Sequence, residues 1–218
     1  MLTSILVYGL INSVILALIT LGFTLTFGIS GVANFAHGAF YIFAGYLTWI
    51  LLNKLGLPYF LAAVLSILIT GLLGFSMYWA FLMRLRGLVL SEVIATFAVG
   101  VAILELFRWA GFVTYEFSLP YLVRGSVEVG GVVVDLQRLA IVTITAVLLL
   151  FIWLFTKYTK IGLSFRGIAQ EEHTALCFGI NSDRTAALSL AFGSAIAAVA
   201  AIAVLPLGSI SVNTGYDV

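Results

Sequence analysis

Residues 1–53 read MLTSILVYGLINSVILALITLGFTLTFGISGVANFAHGAFYIFAGYLTWILLN and contain no Lys, Arg, Asp or Glu. Because about 20 apolar residues suffice for a helix to cross a bilayer, this stretch is long enough for two crossings. Between them lies a glycine-punctuated break at residues 28–38. Backbone without helical hydrogen bonds is tolerated at membrane depth only where protein or a water-filled path covers it. The stretch predicts an integral membrane protein, and the break favours one that moves a solute.

The composition of the whole chain agrees with this interpretation. Apolar residues make up 63% of the 218 residues and charged residues 9%, whereas a soluble domain carries about 25% charged residues. The net charge of +1 gives no basis for nucleic-acid binding. A single cysteine, Cys177, excludes an intrachain disulfide. We therefore expect an all-α integral membrane protein that forms one transmembrane domain over residues 1–218.

Stretches without charge mark about six spans, and the first two form the glycine-broken pair. The predicted spans are residues 5–27, 40–52, 59–81, 92–109, 139–155 and 185–205. They leave two long connections, residues 111–138 and 156–184. Lys and Arg concentrate on the side that holds the 156–184 loop, so the positive-inside rule places that loop in the cytoplasm of a cell-membrane protein. The 111–138 loop and the N-terminus are then extracytoplasmic.

Two local patterns refine this outline. Two β-prone runs flank a Gly-Gly turn in residues 126–135 and predict a hairpin. This loop either joins two helices only or forms a docking surface for an extracytoplasmic partner. Gly193, Ala197 and Ala201 recur every four positions, which favours close helix packing in a membrane, within the chain or between subunits.

The break supplies the first candidate site. Asn34 and His37 are three residues apart and would share a helix face if the break re-enters a helix there. They either satisfy backbone freed at Gly28, Gly31 and Gly38 or line a translocation path, as broken helices do in transporters. The candidate path residues are Asn34, His37, Gly38, Asn12 and Thr24.

The 156–184 loop supplies the second candidate site. Residues 166–178 predict a short amphipathic helix that ends at Gly179, and Asn181 or Ser182 would cap the next span. Such a helix between two spans could lie on the membrane or dock in a groove of a partner. Its mixture of acids and bases argues against simple binding to anionic lipid.

The sequence offers little that indicates catalysis. No phosphate-binding loop of the G-x-x-x-x-G-K-[ST] type occurs. Neither His37 nor His173 has partners at metal-binding spacing, and no nucleophile–base pair stands out. We therefore expect no catalytic residue, no metal and no cofactor in this chain.

Two regions together resemble a known family. Residues 28–40 (GISGVANFAHGAF) and the following Ala44-Gly45-Tyr46 resemble the N-terminal signature of branched-chain amino acid permeases of ABC importers, the LivH type. Residues 166–170 (RGIAQ), 179–184 (GINSDR) and 191–197 (AFGSAIA) resemble the cytoplasmic coupling loop of that family and the helix after it. The matching stretches cover roughly a third of the chain.

The resemblance implies a permease subunit that works with a second permease subunit, two cytoplasmic ATPase subunits that use ATP, and an extracytoplasmic substrate-binding protein. The residues it places on the coupling helix that contacts the ATPase are Arg166, Gln170, Glu171, Glu172, Ala175, Leu176 and Gly179. Ala39 and Gly167 depart from the family pattern, and related permeases for urea and short amides share the outline. Family members continue with further spans, so we expect a partial chain. A stand-alone secondary transporter or channel, and an assembly subunit without a path, stay open as alternatives.

Overall fold

The computed structural model describes residues 2–31, 33–111, 118–129 and 131–208. Helices and one hairpin follow one another along the chain. They are α1 (Leu2–Ser30), α2 (His37–Asn53), α3 (Tyr59–Met77, continued by a π-helical turn at Tyr78–Leu82 and by Met83–Leu85), α4 (Val89–Trp109), β1 (Ser126–Val129), β2 (Val132–Asp135), α5 (Leu136–Tyr158), α6 (Lys160–Gln170), α7 (Glu172–Cys177) and α8 (Ser182–Val204, continued by a 3-10 turn at Leu205–Leu207).

Each predicted span corresponds to a helix, and the chain is an all-α membrane protein. Five helices are long and apolar enough to cross a membrane by length and composition: α1, α3, α4, α5 and α8. The remaining predicted span is α2, which has 17 residues. At about 1.5 Å per residue it is roughly 25 Å long, at the lower limit of what can span a bilayer.

Helix α8 lies at the centre of the bundle and contacts α1, α2 and α3. Its span is 67% buried, whereas the other four candidate spans are at most 33% buried. The small side chains predicted to form a flat face do so within the chain: Gly193 lies against Gly22 and Thr26 of α1, and Ala197 and Ala201 are fully buried. Small residues let helix backbones approach in lipid, where hydrophobic attraction between helices is weak.

The two ends of the bundle differ in character. One end, here called the basic end, carries the α3–α4 turn with Arg84 and Arg86, the α6–α7 segment and the start of α8. The other, here called the hairpin end, carries β1 and β2, and β2 packs on the N-terminal half of α1. Tyr8 there donates a hydrogen bond to the Val133 carbonyl (2.6 Å). The two long loops thus lie on opposite ends, as the alternation of spans predicted.

The predicted hairpin is confirmed. Strands β1 and β2 are antiparallel and pair Ser126 with Asp135 and Val129 with Val132. Gly131 has φ of +79°, a left-handed conformation that glycine adopts without steric cost. At the hairpin end of α4, Glu105 and Arg108 form an ion pair three residues apart (3.0 Å).

We expect Gly193→Leu to destabilise the bundle by about 1–3 kcal/mol or more, because overpacking of a filled contact is costly. A Cβ at this position would lie 2.8 Å from the Gly22 carbonyl oxygen, a backbone atom that cannot move aside easily. The measurement is the thermal unfolding midpoint in detergent. Gly9→Leu is the matched control, since no atom lies within 4 Å of a Cβ at Gly9. Equal midpoints for the two variants would contradict the close contact.

Candidate functional site

The break predicted in residues 28–38 is a re-entrant segment. Helix α1 ends at Ser30, Gly31 has φ of +68°, and α2 starts at His37. The Nε2 atom of His37 lies 2.9 Å from the Ile19 carbonyl oxygen. Ile19 precedes the end of α1 by eleven residues, about 16 Å along a helix. The chain therefore turns at the basic end and returns into the bundle before α2 begins.

Asn34 finds hydrogen-bond partners inside the segment. Asn34 is buried, and its Oδ1 accepts a hydrogen bond from the Ala36 amide (3.1 Å). Its carbonyl oxygen accepts one from the His37 amide (3.2 Å). Asn34 therefore closes a turn ahead of α2, so it does not share a helical face with His37 as the spacing suggested. The Asn34 side chain bonds to backbone of its own turn and the His37 side chain to a carbonyl of α1, and neither bonds to the backbone at Gly28, Gly31 or Gly38 in these hydrogen bonds.

Helix α4 covers the segment from one side. The Thr96 hydroxyl accepts a hydrogen bond from the Phe35 amide (3.2 Å) and lies 3.3 Å from the Ala33 carbonyl oxygen. One turn further along, a Cβ at Gly100 would lie 3.2 Å from the Ala36 Cα. A small residue and a hydroxyl one turn apart thus let non-helical backbone pack against α4. Sequence reasoning missed both residues; their spacing of four on one helix face was the available signal.

The other candidate path residues do not converge on this segment. Asn12 is exposed near the hairpin end, where its Oδ1 accepts a hydrogen bond from Arg138 (3.1 Å). Thr24 is exposed and donates to the Thr20 carbonyl of its own helix (3.0 Å). Gly38 is buried in the first turn of α2, next to His37. The structure therefore brings together Asn34, His37 and Gly38 but not Asn12 or Thr24.

We expect Thr96→Val to destabilise the chain by about 0.5–1.5 kcal/mol, because it removes the hydrogen bond from the part-buried Phe35 amide at nearly unchanged volume. Thr96→Ser keeps the hydroxyl and is the control. The measurement is the thermal unfolding midpoint in detergent. A valine variant that unfolds at the same temperature as the serine variant would show that the hydroxyl contributes nothing to the re-entrant segment.

The second candidate site differs from the sequence prediction in its helices. The single helix expected over residues 166–178 is wrong: α6 starts at Lys160, and the chain breaks at Glu171 (φ −160°, ψ 104°) before the short helix α7. The predicted terminus is confirmed, because Gly179 has φ of +80° and its amide donates to the Leu176 carbonyl (2.9 Å). Asn181 caps α8 by accepting a hydrogen bond from the Arg184 amide (2.9 Å).

The break at Glu171 divides the predicted apolar face. Ala175 is buried against the chain's own α6 side, near Gly167, whereas Leu176 is 46% and Phe178 82% exposed. The remaining predicted coupling residues are exposed: Arg166, Gln170, Glu171, Glu172 and Gly179. Ala175 is thus part of the interior, and the apolar side chains available to a partner are Leu176 and Phe178.

Arg86 ties α7 to the rest of the basic end. Its guanidinium donates to Glu172 of α7, to the Ser182 hydroxyl and to Asp183 in the first turn of α8. Tyr78, in the π-helical turn of α3, also donates to Asp183 (2.6 Å). Burial lowers the pKa of Arg86, but Tyr78, Asp183 and Glu172 together raise it above its usual value. The arginine therefore stays charged and joins three helices.

Sequence reasoning did not find Arg86, which it used only to orient the spans. Its partners lie 86 and 97 residues further along the chain, so no local pattern connects them. Glu92 completes the turn, because its buried carboxylate accepts a hydrogen bond from the Gly87 amide (3.0 Å). The α3–α4 turn is thus held by hydrogen bonds at both Arg86 and Gly87.

We expect Arg86→Gln to loosen α7 without unfolding the bundle. Single exposed ion pairs contribute about 0–1 kcal/mol each, so loss of the whole network removes about 1–2 kcal/mol, or roughly 5–30-fold in the local opening equilibrium. Hydrogen exchange of the amides in residues 172–183 should accelerate by that factor. Arg84→Gln, which removes the same charge two residues earlier, is the control. Equal exchange in both variants would show that Arg86 does not hold α7.

Comparison with known proteins gives the family. The family model described as the branched-chain amino acid transport system permease component matches residues 5–217. The branched-chain amino acid permease protein BraD of Pseudomonas aeruginosa is 31% identical over 227 residues, covering 97% of this chain and 73% of BraD. No solved structure matched the chain significantly.

Two further relatives extend the comparison. The permease protein LivH of Escherichia coli is 29% identical over 201 residues, covering 85% of this chain and 65% of LivH. The probable LivH of Methanocaldococcus jannaschii is 28% identical over 203 residues, covering 88% of this chain and 62% of the relative. This chain thus spans between 62% and 73% of the length of these three relatives. With its membrane-length helices, it is a multi-pass protein of the cell membrane that belongs to the family of branched-chain amino acid transport permease components.

Proposed function

We propose that this chain is the transmembrane permease subunit of an ATP-binding-cassette importer for branched-chain or related amino acids. The family membership and the printed names of the relatives support the substrate class. In this proposal ATP is used by separate ATPase subunits at the basic end, and this chain carries no cofactor. A second permease subunit completes the membrane part, and an extracytoplasmic binding protein delivers substrate to the hairpin end.

The observation that carries the proposal is the exposure of apolar side chains at the end of α7. Leu176 and Phe178 expose apolar side chains at an end of the molecule rich in Arg and Lys. Exposed apolar groups outside the spans indicate a contact surface for another protein. A short helix with such a face suits insertion into a groove of a partner. We call Leu176 and Phe178 the docking face.

The connection behind the docking face makes it able to transmit a movement. The backbone carbonyl of Glu171 accepts from the Ala175 amide (3.0 Å), and Ala175 itself is anchored in the interior. Glu172 is held by Arg86 and accepts a hydrogen bond from Ser182. A displacement of α7 by a partner would therefore be passed to the α3–α4 turn and to the start of α8 rather than absorbed in a loose loop.

The experiment is ATP-driven uptake of leucine by vesicles that contain the chain with its ATPase and binding protein. We expect Leu176→Asp to lower uptake at least about tenfold at unchanged amounts in the membrane, since burying an unpaired carboxylate in an interface costs several kcal/mol. The same variant should lose co-purification with the ATPase. Thr174→Asp, which places the same charge on an exposed polar position of α7, is the control.

Two outcomes would overturn the proposal. Normal uptake by Leu176→Asp would show that the docking face does not couple transport to ATP hydrolysis. Uptake of leucine by the chain alone, driven by an ion gradient and insensitive to removal of the ATPase, would instead establish a stand-alone secondary transporter.

A further inference from the structure

A cleft at the hairpin end is built from three separate parts of the chain. It has a volume of about 820 Å³ and lies between the C-terminal end of α2, the loop before β1 and the C-terminal end of α8. Binding sites for small ligands are clefts of about 300–1,000 Å³ with mostly apolar walls and a few placed polar groups. We call this cleft the hairpin-end pocket.

The side chains of the pocket combine both kinds of surface. Leu52 and Leu207 are partly buried and supply the apolar wall, whereas Leu119, which is 2% exposed, belongs to the packed interior. Arg124 is the cation of the lining, and no acid occurs among its described residues. Asp135 lies beyond Arg124 in a neighbouring cleft, where its carboxylate is 3.9 Å from Arg138. The pocket therefore favours a ligand with an aliphatic part and a negative charge.

A positive group on the ligand also finds partners. The Nδ2 atom of Asn53 donates a hydrogen bond to the Trp49 carbonyl (3.0 Å). The Oδ1 atom of the same amide is an acceptor, to which a donor of the ligand can bond. Both α2 and α8 run toward the hairpin end and finish at the pocket. Helix C-termini carry partial negative charge, which stabilises a cation nearby. The guanidinium of Arg124 and the Oδ1 acceptor of Asn53 thus lie on different walls of the pocket.

The loop that carries Arg124 is fixed rather than free. Gln137 is fully buried; its Oε1 accepts from the Leu122 amide (3.0 Å), and its Nε2 donates to the Ala203 carbonyl near the end of α8 (2.8 Å). The Gly125 carbonyl accepts from the Leu136 amide (2.9 Å). These bonds on both sides of Arg124 fix its backbone beside the pocket, so that only its side chain must be ordered when a ligand binds.

We propose that the hairpin-end pocket is a reception site for an aliphatic amino acid. The carboxylate pairs with Arg124, the ammonium lies at Asn53 and the two helix ends, and the side chain packs on the leucine walls. This proposal rests on the proposed function, because it places the substrate of that transport at a defined entrance. Nothing in it requires the α7 docking face at the other end.

The test is protection of a thiol in the pocket. Ser118→Cys places a thiol in the lining, and the reaction of that thiol with a maleimide is followed by mass spectrometry in membrane vesicles that contain the assembled transporter. Ser126→Cys, whose thiol lies in β1 outside the lining, is the reference. Both variants carry Cys177→Ser, because Cys177 lies between the two residues of the docking face. Leucine should slow the reaction of the thiol at position 118 and leave that of the thiol at position 126 unchanged. Leucinol, which lacks the carboxylate, should protect far less.

Arg124→Gln should raise the leucine concentration for half-protection about tenfold or more, since the carboxylate of leucine loses its charged hydrogen-bond partner. Arg108→Gln removes the same charge at the same end, away from the pocket, and should leave protection unchanged. Equal protection in the two variants would overturn the proposal. So would equal protection by leucine and leucinol.

Uptake of leucine in the same vesicles separates the two proposals. Uptake without any protection would overturn the reception site and leave the proposed function standing, whereas loss of both would remove the proposed function as well. If Arg124→Gln weakened binding of the extracytoplasmic binding protein while leucine protection stayed unchanged, Arg124 would be a contact for that protein, and the reception site would be wrong.

Discussion

The close contact of α1 and α3 with α8 is the constraint on which the rest of the structure depends. Gly22 and Gly193 bring α1 against α8, and Gly74 of α3 lies against Leu190 and Ser194 of α8. In hydrocarbon the association of helices depends on close packing rather than on exclusion of water, so side-chain volume along α8 sets the positions of its neighbours. The two ends of α8 lie at the Arg86 network and at the hairpin-end pocket.

The re-entrant segment is possible only because that bundle encloses it. With no water available in the bilayer core, each freed amide and carbonyl needs a partner inside the protein. Two of these partners are side chains: Asn34 accepts from the Ala36 amide within the segment, and Thr96 of α4 accepts from the Phe35 amide. His37 bonds to the Ile19 carbonyl of α1 and so holds the start of α2 against that helix. Deep non-helical backbone thus follows from the packing and is stabilised by a small number of polar side chains.

Charge-free length and glycine spacing were sufficient to predict the spans, the hairpin, the break after α1 and the small-residue face of α8. These features follow from patterns in which the interacting residues are near one another in the chain. Thr96, Arg86 and Gln137 could not be predicted in the same way, because each bonds to backbone or side chains of a distant element. Helix α7 was misjudged for a related reason: the amphipathic pattern runs through residues 166–178, but tertiary packing of Ala175 favours a break at Glu171.

The position of Arg86 explains why the two ends of the molecule need not act independently. Its acceptors lie in α7 and at the first turn of α8, and Tyr78 brings the π-helical turn of α3 to the same aspartate. A π-helical turn is a local defect in hydrogen bonding that often accompanies functional positions in helices, because it lets one part of a helix shift against the next. A shift of α7 would act on α8 as a rigid body, since two-thirds of its span is buried and packed on three helices. The far end of that body is a wall of the hairpin-end pocket. An ATPase bound at the docking face would therefore change the pocket by moving α8, without any contact to the substrate.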